Sequence, residues 1–248
     1  MKSNLSPTES IDNSLQTIDK LSPYDALVKM LSSHEYAVKA VQKNLAEIER
    51  AVYKMHSILQ KSKTGRIIYA GAGTSARIGI QDGVELYPTF GWDPKRLEYI
   101  IAGGKMALTK PVENAEDSVE QAIKQFDDLN VNKNDIIISI AASGNTPFTC
   151  TVVESASKKE VTTVSLSNNP DGKILLSSEF KIILDTGPEV IAGSTRLKAG
   201  TAQKICLNLI STSLMISLNR VKNGQMSHLV ATNFKLRERK KRIDQQIT

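Results

Sequence analysis

Apolar residues change their period along this chain, and the change divides it. Val38, Val41, Leu45, Ile48, Val52, Met55 and Leu59 recur at three- and four-residue spacings, the mark of an amphipathic helix that buries one face. The stripe predicts a helix over 34–61 that covers a neighbour, either a sheet or another subunit. Ahead of it, Ser22 and Pro23 stand as N-cap and first helical residue, which predicts a shorter helix over about 23–31. Beyond residue 65 the apolar positions gather into short Ile- and Val-rich runs at 66–70, 97–102, 135–142, 161–167 and 181–184. These runs are nearly continuous rather than alternating, as expected for strands covered on both faces. Separated by helical stretches, they predict an α/β fold: a three-layer α/β/α, doubly wound parallel sheet of about five strands with added N- and C-terminal helices. Ligands of such sheets bind outside the carboxyl ends of the strands.

This pattern suggests a division into a flexible N-terminal arm (1–22), a helical N-terminal extension (23–61), the α/β domain (62–222) and a C-terminal helical segment with a basic tail (223–248). The longest apolar runs are strand-sized, far short of the ~20 residues that span a bilayer. The polar start MKSNLSPTES has no apolar core of a signal peptide. A cytoplasmic protein without a membrane partner is therefore expected. The net charge of +6 comes almost entirely from KLRERKKR at 235–242, six bases and one acid. No aromatic residues interleave with that octet to stack on bases, so no nucleic-acid partner is expected. Cys150 and Cys206 lack CxxC spacing and read as buried free thiols, and His34, His56 and His228 are scattered, so no metal site is expected.

Three polar turns follow the first, third and fifth strands. The first, Gly71-Ala72-Gly73-Thr74-Ser75-Ala76, leads from a strand into a helix, where unpaired N–H groups and the helix dipole favour an anion. It fits the G-x-G-x-x-A dinucleotide fingerprint, but the second strand ends Ile101-Ala102-Gly103-Gly104 without the acid that would hold a ribose. No G-x-x-x-x-G-K-[ST] loop occurs either, so no nucleotide cofactor is expected. The second turn, Ala142-Ser143-Gly144-Asn145-Thr146-Pro147, offers hydroxyls that would hold a phosphate or merely cap the next helix. The third, residues 187–201, crowds Glu189, Ser194, Thr195, Arg196, Lys198 and Thr201 into one loop and helix start. Among the carboxylates, Glu85 reads as a helix-end residue, and Glu116 as one of three acids complementing a helix dipole.

GAGTSARIGIQDGVELYPTFG at 71–91, IAGG at 101–104, VENAEDS at 112–118, IAASGNTP at 140–147 and GPEVIAGSTRLKAGTAQK at 187–204 together resemble the sugar isomerase (SIS) domain proteins. Within these, the chain resembles the N-acetylmuramic acid 6-phosphate etherases, over about residues 18–241. The resemblance implies a SIS fold over 62–222 and a homodimer. It implies cleavage of the D-lactyl ether of N-acetylmuramate 6-phosphate to N-acetylglucosamine 6-phosphate and D-lactate, without metal or nucleotide cofactor. In that chemistry one carboxylate removes the C2 proton of the open-chain aldehyde. A protonated one assists departure of lactate from C3, and water then adds to the double bond. Position by position, Glu85 and Glu116 match the acid/base pair. Thr74, Ser75, Ser143, Asn145 and Thr146 match the sugar-phosphate site, with Glu189, Ser194 and Lys198 as contributors. The family usually reads GTSGR where Ala76 stands, ASECPP around Glu85, and SGRTP where Asn145 replaces the arginine. It also continues past the position of Thr248 as a small helical domain. The same blocks resemble a sugar-phosphate-binding regulator of a sugar kinase, a non-catalytic alternative that would not depend on Glu85 and Glu116.

Overall fold

A computed structural model describes residues 6–12, 18–231 and 234–247; the other residues of the predicted arm, 1–5 and 13–17, lie outside it. Five strands, β1 (Ile67–Gly71), β2 (Leu97–Ile101), β3 (Ile136–Ala141), β4 (Thr162–Ser167) and β5 (Phe180–Ile183), pair in parallel in the order β2-β1-β3-β4-β5. Each lies within one residue of its predicted bounds. The helices are α1 (Pro23–Gln42), α2 (Leu45–Lys61), α3 (Gly73–Val84), α4 (Leu86–Phe90), α5 (Val119–Asp128), α6 (Pro147–Lys158), α7 (Lys198–Ser217) and α8 (Phe234–Ile247).

Two apolar cores separate the three layers. On one face, Val41 of α1, Met55 of α2 and Leu207 of α7 pack with Tyr69, Ile138 and Val164 of the sheet. On the other, Phe126 of α5 and Val152 of α6 pack with Ile68, Ile100 and Ile137. The predicted stripe faces the first core through Val41, Ile48, Val52, Met55 and Leu59, while Val38 and Leu45 remain exposed. At Gly79, α3 lies so close to the sheet that a Cβ would stand 2.9 Å from Ile140 Cδ1. Cys206 is buried as expected, whereas Cys150 is only half-buried; neither forms a disulfide.

The boundary between the first two helices differs from expectation. Helix α1 runs through Ser32 and Ser33 to Gln42, and the break falls at Lys43 and Asn44. The reason is tertiary. Asn44 accepts the Ile183 N–H through Oδ1 (3.1 Å) and donates Nδ2 to the Ile183 carbonyl (2.7 Å). One side-chain amide thus pairs the exposed edge of β5 as a neighbouring strand would, and the helix ends where that amide is needed.

At the amino ends of β1 and β3, Asp135 is 1% exposed and Arg66 clasps it, Nε to Oδ1 at 3.0 Å and Nη2 to Oδ2 at 2.7 Å. The same carboxylate accepts the backbone N–H of Arg66 (3.0 Å) and of Asn132 (3.0 Å). The bond to Asp135 holds the Arg66 guanidinium above its ordinary pKa. Removing one partner of a buried pair strands the other. Asp135→Ala is therefore expected to lower stability by about 3–5 kcal/mol, read as a shifted urea midpoint at unchanged m-value.

Candidate functional site

The strand order reverses between β1 and β3, so chains leaving their carboxyl ends diverge and a crevice opens. A cleft of about 440 Å³ occupies it. Its walls are the turn after β1 (Gly73, Thr74, Ser75), the connection after β2 (Val112, Glu116) and the turn after β3 (Ser143, Thr146). Helices α3 and α6 both start here. Ala72 at the N-cap of α3 has no side-chain acceptor, and Thr146 at the N-cap of α6 makes no capping bond. First-turn N–H groups of both helices are thus left for a ligand. Thr146 and Ser143 both line the cleft, and Ser143 Oγ accepts the Asn145 N–H at 3.1 Å.

Glu116 stands over this cradle. Gly73 has φ +54°, and a Cβ there would lie 2.8 Å from Glu116 Oε1. The position therefore favours glycine for its backbone conformation, and the carboxylate lies directly against it. The cleft thus joins Thr74, Ser75, Ser143, Thr146 and Glu116, five of the residues singled out from sequence.

The other five lie elsewhere in the chain. Asn145 is exposed, its Oδ1 accepting the Lys173 N–H at 3.1 Å and joining the turn after β3 to that after β4. Glu189 is buried and accepts the N–H groups of Lys198 (3.3 Å) and Ala199 (2.9 Å), capping α7. Burial raises its pKa, opposed by those two bonds. Ser194 holds its loop through its backbone, donating to the Ile191 carbonyl at 2.9 Å and accepting from Leu197 N–H at 3.3 Å. Lys198 turns toward a separate cavity against α1, its ammonium 5.2 Å from the Tyr36 ring centroid, with burial lowering its pKa. The third polar turn lends the cleft only Thr195, so the walls come from the turns after β1, β2 and β3 rather than β1, β3 and β5.

Glu85 is exposed where α3 ends, ~18 Å along the helix from Gly73 at 1.5 Å per residue. It borders a depression of about 130 Å³ with Asp82, Lys204 and Asn208. Beneath it, buried Asp82 accepts from Tyr69 Oη (2.7 Å), Asn208 Nδ2 (2.7 Å) and Ser211 Oγ (3.1 Å), tying α3 to β1 and α7. Burial and the Asp82 charge hold the Tyr69 phenol well above its ordinary pKa.

Two cleft residues had no place among the sequence candidates. Arg77 lies one turn after Thr74, and its Nε donates to the Ala107 carbonyl at 3.0 Å, fastening the connection after β2. That i, i+3 spacing was the available signal. Glu9 arrives from the N-terminal arm, whose polar composition carried none.

A parallel sheet in this order with a cleft at its switch point is a doubly wound α/β architecture, and sequence matches narrow it to the SIS-domain proteins. Residues 50–157 match the glucokinase regulatory protein N-terminal SIS domain, and residues 104–213 the SIS domain. The chain belongs to the N-acetylmuramic acid 6-phosphate etherase family. It is 40% identical over 242 residues to that etherase of Deinococcus radiodurans, covering 97% of this chain and 78% of the relative. It is 43% identical over 241 residues to the etherase of Lactococcus lactis subsp. lactis, covering 97% and 80%. In fold it is similar to a phosphoheptose isomerase from Francisella tularensis (TM-score 0.58, 21% identity, 81% of this chain and 100% of that one). It is likewise similar to a phosphoheptose isomerase from Neisseria gonorrhoeae (TM-score 0.57, 16% identity, 80% and 100%).

One side chain couples the arm to the cleft. Asn169, after β4, accepts the Thr8 N–H (3.1 Å) and donates Nδ2 to Thr8 Oγ1 (2.8 Å) and to the Ser143 carbonyl (3.0 Å). Asn169→Ala deletes all three bonds, an expected loss of about 2 kcal/mol. Hydrogen exchange should show the Thr8 amide deprotected while the amides of β3 and β4 keep their ranking.

Proposed function

We propose that this chain is a carbon–oxygen lyase that cleaves the D-lactyl ether of N-acetylmuramic acid 6-phosphate, acting in amino sugar recycling. The observation that carries the reading is about 40% identity to etherases of that name across 97% of the chain. The geometry supports it. A phosphate fits the neutral cradle of Thr74, Ser75, Ser143 and Thr146 with the N-termini of α3 and α6, and Glu116 faces the same space. A carboxylate there is placed to move a proton at the sugar carbons beside the phosphate-bearing end. Elimination transfers the C2 proton to one carboxylate while the C3–O bond breaks and lactate leaves with the electron pair and a proton from the other carboxyl group. Water then returns hydroxyl to C3 and hydrogen to C2.

Glu85 is the second carboxylate of this reading. Its distance from the cleft within one chain supports a homodimer in which Glu85 of one copy completes the cleft of the other. No helix of the described residues is long and apolar enough to cross a membrane, and a charged sugar phosphate suits a cytoplasmic enzyme.

Purified protein is expected to release D-lactate from N-acetylmuramic acid 6-phosphate. Glu116→Gln and Glu85→Gln should each lower kcat by about 10²–10⁴-fold while sugar-phosphate binding persists. Mixed after unfolding and refolding together, the two inactive variants should regain roughly a quarter of wild-type activity, because half the dimers would carry one intact site of two. No regain would place both carboxylates in one chain. Sugar-phosphate binding without lactate release would make the protein a sensor, as its match to a regulatory-protein domain allows.

A further inference from the structure

The N-terminal segment does more than lie near the cleft. Residues 6–10 form a closed turn, with the Glu9 and Ser10 N–H groups donating to the Ser6 carbonyl (2.9 and 3.0 Å) and Ser10 Oγ to the Pro7 carbonyl (2.7 Å). Thr8, at the centre, is 1% exposed. Its two bonds to Asn169 fasten the turn to the residue that also holds the Ser143 carbonyl. The strap is thus attached to the cradle itself.

Its product is the position of Glu9. The side chain lines the cleft, with Oε2 3.5 Å from the place a Cβ would take at Gly193, in the loop that supplies Thr195. Among the described residues the Glu9 carboxylate has no hydrogen-bond or ion-pair partner. An ionised carboxylate only accepts hydrogen bonds and repels a phosphate. The N-termini of α3 and α6 are the groups in the cleft that favour a phosphate instead. What Glu9 can meet is a donor: a hydroxyl, or the N–H of an acylamino group.

We infer that Glu9 is a substrate-recognition residue, held by the Thr8–Asn169 clasp, whose carboxylate accepts hydrogen bonds from the hydroxyl or amide groups of the sugar. This rests on the sugar-phosphate reading above and adds to it a third carboxylate, one that selects rather than reacts.

The test is calorimetric binding of three probes to the full chain: N-acetylglucosamine 6-phosphate, glucose 6-phosphate and inorganic phosphate. Glu9→Gln and Glu9→Ala should weaken the N-acetyl sugar phosphate about tenfold or more, with inorganic phosphate within twofold of wild type. In the lactate assay KM should rise with kcat largely retained, the pattern of lost uniform binding. Equal weakening of all three probes would mean that the cleft itself has changed, and would overturn the assignment. Unchanged sugar binding would overturn it too. Glucose 6-phosphate separates the two readings. If wild type releases no lactate yet binds that probe, the etherase reading falls, and the response of glucose 6-phosphate binding to Glu9→Gln still decides the role of Glu9.

Discussion

The pairing of β1 with β3 is the constraint on which the rest of this molecule depends. The strands are neighbours in the sheet but not in sequence, with Ile67 opposite Ile136 and Gly71 opposite Ile140. Asp135 and Arg66 lock that register at the amino ends, where a slip by one residue would exchange the two faces of each strand. At the carboxyl ends the same pairing sets Gly71 and Ile140 side by side just before their chains part, one into α3 and one into the turn leading to α6. Two helix N-termini then begin within one crevice. The paired helix starts at the cleft follow from the register.

The three helices that follow β1, β3 and β5 are treated differently. In α3 and α6 the N-cap side chain leaves the first turn unspent, and both helices open on the cleft. In α7 the buried Glu189 consumes the Lys198 and Ala199 N–H groups. A carboxylate beside a helix start is stabilised by the dipole and excludes a second anion. The fold thus uses its third N-terminus for stability and leaves two facing the cleft. The polar crowding of residues 187–201 includes the cap of a buried helix, Glu189.

Strands and the first two turns were legible because their signals are local: continuous Ile and Val for a covered sheet, and glycine with hydroxyls where a strand turns into a helix. The misplaced break between α1 and α2 was not. Ser32 and Ser33 look like an interruption, yet His34 Nδ1 contacts the Met30 carbonyl at 2.8 Å within an unbroken helix. The true break is dictated by Ile183, 139 residues away, which needs the Asn44 amide. Glu189 and Lys198 were legible as important but not in role, because a capping carboxylate and a ligand-binding one have the same sequence signature. Glu9 left no trace at all, since its position depends on Asn169, a partner 161 residues from Thr8.

A cleft built from hydroxyls and helix ends handles charge differently from one built from lysines. Its attraction for phosphate is short-ranged and directional, exerted by groups already fixed by the sheet and little diminished by salt. That leaves room for negative side chains within the same 440 Å³, which a cationic pocket would neutralise as ion pairs. Glu116 above Gly73 and Glu9 on the strap both depend on this. Among the described residues neither forms an ion pair with a lysine or arginine that would tie up its oxygens. The walls are mostly hydroxyls and helix ends, and the basic side chain among them, Arg77, donates its Nε to the Ala107 carbonyl. The β1–β3 register is what brings the turns after those strands together.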